Sequence, residues 1–575
     1  METDLAKKVI ITYQTDNFIS DLDILNCQYD YSTHDETHGY KPFDIQNLQK
    51  YNPIYSLFFE LNESNQSSLS LKHKNNIVDL YTVMNTDNII IDQKSSFVKF
   101  SPLLDPVKYM IGKYNVEDDT LRTLPTAMGK NENVFPKLVD HNNSAYIDCF
   151  FSFLSSQLLE HHGVVHGVDY YGSFLGIQNK YKMNVTDDIE YIAGSEYFHE
   201  NLGKHFFISD KNYSEYSSNI AGSRANKNKL HFSSLKENID LGEIVLDNVH
   251  DIDDVSEETD YPMDEKKKEH EVIYEKDIPI EEEDSYSSSD SEVEYSASEE
   301  SSSEKDTTET SETCSEHSTE YSSDVHEVFA YINNFPVQLI CLEKCKGTMD
   351  DLFKRGVIDE KTGPSALMQI IMTLIIYQKA FSFTHNDLHT NNIMYVDTEE
   401  EYIYYVYEGK IYKVPTFGKI YKIIDFGRGI YKFNGKLFCS DSFAPKGDAA
   451  TQYNCEPYMN ENKPRLDPNP SFDLCRLGCS IYDFVLDNEE IDEMDDFQKL
   501  ILSWCLDDNG KNVLYKRNGE ERYPNFKLYK MIARTVHNCV PREQLKNPIF
   551  SGYLVDTIEN TEIRVIDIDA IYYYC

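Results

Sequence analysis

The sequence predicts an α+β fold interrupted by a long acidic insertion. Three observations carry that prediction. Short strand-like runs occupy residues 80–178 and recur at 336–343. Apolar runs of helical length lie at 145–159 and 366–377. Residues 251–330 hold 29 Asp and Glu against five Lys, a net of −24.

The remaining composition sets the class. The 575 residues include 54 Lys and Arg against 99 Asp and Glu, a formal charge of −45, so −21 is left outside that window. A field of this sign opposes nucleic-acid phosphates, and no nucleic-acid partner is expected. Only 40% of the chain is hydrophobic, yet 42 Tyr and 30 Phe supply core material. No apolar run reaches about 18 residues, so no membrane span is expected. The first residues lack the basic-then-apolar pattern of a signal peptide, so secretion is not expected either. Twelve irregularly spaced Cys read as reduced cytosolic thiols. Cys341-x3-Cys345 and Cys475-x3-Cys479 have no second pair at zinc spacing.

Within the acidic window, residues 285–323 are dominated by Ser, Glu, Asp and Thr. Such a tract cannot bury enough apolar surface to offset chain entropy, and it is expected to be disordered. Many of its Ser and Thr precede acids, so it also reads as a phosphoacceptor tract. Ordered-looking sequence resumes at Val328-Phe329-Ala330-Tyr331, which makes the tract internal.

The elements follow in order. Ile89-Ile90-Ile91 and Phe97-Val98-Lys99-Phe100 read as strands, with a turn at residues 84–88. Residues 145–159 read as a helix whose only acid is Asp148, with Glu160 at its end. Residues 167–177 and 336–343 read as further strands. Thr348 is placed to cap a short helix with Asp350 and Asp351 in its first turn. Residues 366–377 form a helix apolar nearly all round, too short to cross a bilayer. Then come His385-Asn386-Asp387-Leu388-His389-Thr390-Asn391-Asn392, a short strand, and a Tyr-rich hairpin turning at Glu408-Gly409. A last β-rich run delivers Asp425-Phe426-Gly427.

His385-x-Asp387-x4-Asn392 followed by Asp425-Phe426-Gly427 resembles the catalytic and metal-binding loops of the protein-kinase superfamily. Each half alone is a weak signal; their order and strand-loop context make the pair strong. The wording of residues 439–445 and 448–459 is similar to serine/threonine kinases encoded by giant DNA viruses. The spacing from Asn392 to Asp425 exceeds the usual one, and the Tyr-rich hairpin accounts for the excess.

The resemblance implies a two-lobed kinase-like fold. Residues 80–178 and 328–345 would form the β-rich lobe, 179–327 its insertion, 346–575 the mainly helical catalytic lobe, and 1–79 an N-terminal extension. It also implies transfer of the ATP γ-phosphoryl group to a protein Ser or Thr. Asp387 would orient the acceptor hydroxyl, and Asn392 and Asp425 would hold Mg²⁺. Lys99 would meet the phosphates, with Asp148, or its rival Glu160, as the acid that holds it. Glu343 to Cys345 would form the adenine hinge, and Asp350 would reach the ribose. Asp473, in a partial match to the family's D-x-W-S-x-G helix start, would brace the catalytic loop or simply cap its helix. Trp504, the sole Trp, is expected in the catalytic-lobe core.

Four departures qualify the match. No glycine-rich phosphate loop precedes Lys99, which favours a rival reading as a pseudokinase scaffold in a virus particle. Asn386 replaces the Arg that pairs with a phosphorylated activation loop, so activity is expected without that switch. His389 stands where protein kinases have Lys, and Asp-Leu-His also resembles aminoglycoside and choline kinases, small-molecule phosphotransferases. The family's Glu is the shorter Asp148. The expected setting is infected-cell cytoplasm or the virion, and the expected clients are proteins, basic ones given the negative field.

Overall fold

A computed structural model describes residues 12–15, 39–62, 64–65, 69–91, 95–127, 132–209, 327–486, 494–558 and 564–575. The fold is α+β. The acidic tract and most of the expected insertion lie outside the described residues.

Strand β1 (Tyr13–Thr15) pairs with β3 (Leu69–Leu71), and β2 (Ile45–Gln49) belongs to the main sheet. A hairpin follows, β4 (Asn75–Asp79) and β5 (Thr82–Asn85), joined by Leu80 and Tyr81. Next are β6 (Ser96–Pro102), β7 (Tyr170–Asn184), β8 (Phe206–Ile208) and β9 (Phe329–Glu343). The main sheet runs β2-β7-β9-β6, with β8 on the far end of β9, and every pairing is antiparallel. Strand β9 is central, so its Val337, Leu339, Ile340 and Leu342 are all buried. Its ladder puts Lys99 opposite Ile340.

Helix α1 (Ser144–His162) is buried on every side from Ala145 to Leu158, because two faces are covered. One lies toward β7 and β9. On the other, Phe151 stacks on Phe383 at 4.1 Å and meets Phe426 at 4.7 Å. The Asn143 side chain accepts the Ala145 N–H at its start, and left-handed Gly163 (φ 66°) ends it.

After β10 (Gly347–Thr348) comes α2 (Met349–Lys354), opened by a capping box between Thr348 and Asp351. Helix α3 (Gly363–Phe381) is buried along almost its whole length. Strands β11 (Ile393–Asp397) and β14 (Lys419–Ile423) pair with each other, and β12 (Tyr402–Tyr407) and β13 (Lys410–Pro415) form the hairpin between them. Its turn is Glu408-Gly409, both residues at positive φ (50° and 68°), as a two-residue hairpin turn requires.

Strands β15 (Ile430–Phe433) and β16 (Lys436–Cys439) pair next, followed by α4 (Phe472–Val485), α5 (Asp496–Trp504) and α6 (Lys527–Thr535). Trp504 is buried, its indole N–H donated to Gln544. Near the C-terminus, β17 (Leu554–Val555) joins β13 and β18 (Val565–Asp567) joins β12. Tyr574 packs on Phe381 and donates its backbone N–H to the Ala380 carbonyl. Among the described residues no helix is long and apolar enough to cross a membrane.

Three sequence expectations need correction. The Ile89-Ile90-Ile91 run is not a strand. Ile89 and Ile90 are 59% and 54% exposed, and the run is tied to β5 by a bridge from Ile90 to Met84, two backbone bonds and the Ile89 N–H donated to the Asn85 side chain. The main sheet reaches upstream of residue 80, because β2 adds its edge to β7. The ordered part of the expected insertion includes the end of β7, two short helices (Ile189–Ala193 and Glu196–Asn201) and β8, so the undescribed stretch is 210–326.

Candidate active site

Residues 385–392 lie between α3 and β11, and Asp425 follows β14 directly. Two bonds fix the loop to the strand beside it: the Ile424 N–H is donated to the Asn392 carbonyl and the His385 Nε2–H to the Ile424 carbonyl. His385 Nδ1 accepts the Asp387 N–H, which sets the neutral tautomer. Asp473, in the first turn of α4, is fully buried and accepts the N–H groups of both His385 and Asn386 at 2.9 Å. It is one residue inside α4, past the Ser471 cap, so it braces the loop and is not the N-cap.

Asn386 is held at φ 63°, a left-handed conformation that Asn tolerates. Its side chain is fully buried and neutral. The amide donates to the Thr384 and Arg428 carbonyls and accepts the Tyr453 hydroxyl. At position 386, loop 385–392 and the stretch after Asp425 are therefore joined by neutral hydrogen bonds.

Three further predicted residues meet across the molecule. Lys99 of β6 lies 2.7 Å from Asp148 Oδ2 and 2.8 Å from Asp425 Oδ1. Burial opposes its charge, but the two carboxylates outweigh that and hold its pKa well above the ordinary value. Lys99 in turn pulls Asp425 below the usual carboxylate range. Asp148 also takes the Phe426 N–H on Oδ1 at 2.8 Å, so one buried acid ties β6 to residues 425–426. Glu160 is 12 residues further along α1, about 18 Å at the helical rise, and is not the partner.

Asn392 donates its amide to the Asp387 carbonyl, and its Oδ1 has no donor among the described residues. The Asp425 side chain is 47% exposed. An amide oxygen and a carboxylate are hard donors that fit Mg²⁺, which completes its shell with water and substrate oxygens. No group of three His, Cys, Asp or Glu side chains that could hold a metal ion occurs among the described residues.

The Asp387 carboxylate sits in a cluster that sequence reasoning missed. Tyr529 of α6 donates its hydroxyl to Oδ1 at 2.7 Å, and the Arg428 guanidinium is 3.8 Å from Oδ2. Arg476 of α4 donates Nε–H to the Tyr529 hydroxyl at 3.0 Å. Burial alone would raise the Asp387 pKa, but Arg428, His389, Arg476 and the Tyr529 hydroxyl together hold it well below the usual range. Burial drives the His389 imidazole down to about 4, so at neutral pH it is an uncharged neighbour of Asp387. Residue 529 is 142 positions from Asp387, and no local pattern links the two.

Two expected nucleotide contacts are placed differently. Asp350 is buried, accepts the Thr390 hydroxyl at 2.7 Å and pairs with Lys354 at 2.8 Å, so its carboxylate supports loop 385–392 and does not open onto a ribose. Its place in the first turn of α2 faces that loop. The Glu343 side chain pairs with Lys422 at 2.8 Å and its backbone N–H is donated to Asp169. Of the expected hinge, the Cys345 backbone is the part with no backbone partner among the described residues. Between β4 and β5, the Asp79 carboxylate takes the Tyr81 N–H and the Leu80 carbonyl takes the Ser96 hydroxyl of β6, so this turn is tied to the strand that carries Lys99. The chain matches no protein-family model and no curated protein.

Proposed function

We propose that the chain is a two-lobed, protein-kinase-like phosphotransferase that moves the γ-phosphoryl group of Mg-ATP to a Ser or Thr hydroxyl of a protein. One observation carries the reading. Lys99, Asp148 and Asp425 converge from three distant elements, beside a loop in which Asp473 and Asn392 fix the backbone around Asp387.

Phosphoryl transfer asks mainly for positioning and charge compensation. Lys99 supplies a cation held by Asp148, ready to trade its contact with Asp425 for a phosphate. Asp425 and the Asn392 Oδ1 would hold Mg²⁺, which when bound offsets the charge of the triphosphate. Asp387, kept ionised, orients the acceptor hydroxyl and takes its proton late. The hinge contact to adenine falls to the Cys345 backbone. In this reading the Leu80-Tyr81 turn, which has no glycine, would take the place of the glycine-rich cover, so phosphate binding would rest on Lys99 and the metal.

The Asp387-Leu388-His389 wording supports a second reading, a small-molecule phosphotransferase. The long stretch between Asp425 and α4 favours a protein acceptor, and the chain's negative charge favours basic ones. The deciding experiment is labelled Mg-ATP offered to the protein itself, casein, basic and acidic peptides, and small hydroxyl compounds, beside an Asp387→Ala control. Transfer to protein that the control abolishes is expected. Transfer to small acceptors only would install the second reading, and no transfer at all would overturn both.

A further inference from the structure

We propose that the Tyr529 hydroxyl holds the acceptor's place on Asp387, so that an acceptor enters only by displacing it; this rests on the phosphotransferase reading. An acceptor must bring its hydroxyl within hydrogen-bond reach of the Asp387 carboxylate. On Oδ1 that place is already filled by the Tyr529 hydroxyl at 2.7 Å, while Oδ2 faces the Arg428 guanidinium at 3.8 Å, an ion-pair distance.

The occupant is held from several sides. Arg476 donates to the same hydroxyl at 3.0 Å. The guanidinium carbons of Arg476 and Arg428 lie 5.2 and 5.6 Å from the ring centroid, within cation–π range. Phe526 stacks on the ring at 5.2 Å and Phe472 packs on it at 5.9 Å. Burial keeps the phenol above its ordinary pKa, so it stays protonated and remains a donor.

Selectivity follows from this arrangement. A hydrogen bond to a charged acceptor must be given up before a new nucleophile reaches Asp387, a penalty of about tenfold or more. An acceptor that binds over a wide surface can meet that penalty with contacts made elsewhere. Water and small hydroxyl compounds bring no such contacts. Tyr529 is thus a specificity-determining residue that favours macromolecular acceptors and suppresses futile ATP hydrolysis.

Tyr529→Phe keeps the ring and its stacking and removes only the hydroxyl. The measurements are Mg-ATP hydrolysis without acceptor and the steady-state kinetics of casein phosphorylation. Hydrolysis is expected to rise about tenfold, and the casein KM to fall with kcat little changed. Arg476→Met, which removes the second hold on the hydroxyl, should move both in the same direction by less, and serves if Tyr529→Phe fails to fold. Unchanged hydrolysis and KM in variants of an active wild type would overturn the inference alone. So would a fall in kcat at constant KM, which would make Tyr529 an orienting group. If neither wild type nor variants turn over Mg-ATP under any condition, the phosphotransferase reading falls and this inference with it.

Discussion

Asp148 closes on Lys99 at 2.7 Å through one carboxylate oxygen while the other takes the Phe426 N–H at 2.8 Å. The short side chain suits that double duty, since a buried site leaves no room for an extra methylene. Asp148→Glu is expected to cost about 1–3 kcal/mol of stability from overpacking and to lower phosphotransfer. Urea unfolding and the labelled-ATP assay check both; a fully active, equally stable Asp148→Glu protein would show that the arm length is immaterial.

Asp473→Ala orphans two buried N–H donors, those of His385 and Asn386. Each is worth about 1–3 kcal/mol, so a loss of about 2–5 kcal/mol is expected, with activity falling even in the folded fraction. Denaturant midpoints at constant m-value measure the first part.

His166 gives a pH signature. It is fully buried, with Nδ1–H donated to the Tyr421 carbonyl and Nε2 accepting the Tyr405 hydroxyl, a pairing that uses the neutral ring. Burial lowers its pKa to about 4 from 6.5. Between those values the unfolded chain binds the proton and the folded one does not, so stability is complete above pH 6.5 and falls toward pH 4. The contribution is on the order of 3 kcal/mol. His166→Gln should flatten that part of the urea-midpoint profile relative to wild type; parallel profiles would refute the assignment.

Asn386 predicts independence from an activation-loop phosphate, because at this position neutral hydrogen bonds with the Arg428 carbonyl and the Tyr453 hydroxyl do the joining. Protein treated with phosphatase, and free of phosphate by mass spectrometry, should keep its activity. Asn386→Arg should not create a switch. It would bury an unpaired guanidinium and unfold the loop, at a cost of about 3 kcal/mol or more.

Residues whose chemistry is written in local pattern were legible from sequence. Asp387, Asn392 and Asp425 stand in short motifs, and Asp148 betrayed itself as the lone acid in an apolar helix, where a buried charge demands a partner. The Glu408-Gly409 turn was equally plain, since few residue pairs accept two positive φ values. Illegible were contacts made only by tertiary folding. Tyr529 carries no motif and reaches Asp387 from a helix far along the chain, and Arg476, at a mismatched position of the D-x-W-S-x-G stretch, reaches the Tyr529 hydroxyl. Ile89-Ile90-Ile91 misled because apolar β-branched residues in a row imply a strand only when something covers them. Asp350 misled because position along the chain says nothing of which neighbour a carboxylate turns toward.

At the rim of the main sheet, Ser209 donates its N–H to the Phe329 carbonyl and receives the Phe329 N–H on its own hydroxyl, while Ile208 stands opposite Ala330. The segment 210–326 therefore leaves and re-enters the fold at a single stitched point. Closure entropy of a flexible connection grows only with the logarithm of its length, about 0.6 kcal/mol per doubling, so the stitch tolerates connections of very different length. The stitch makes this rim a natural grafting port. A fluorescent module or affinity handle could replace 210–326 there, with the lysine-bearing strand β6 undisturbed further along the same edge of β9.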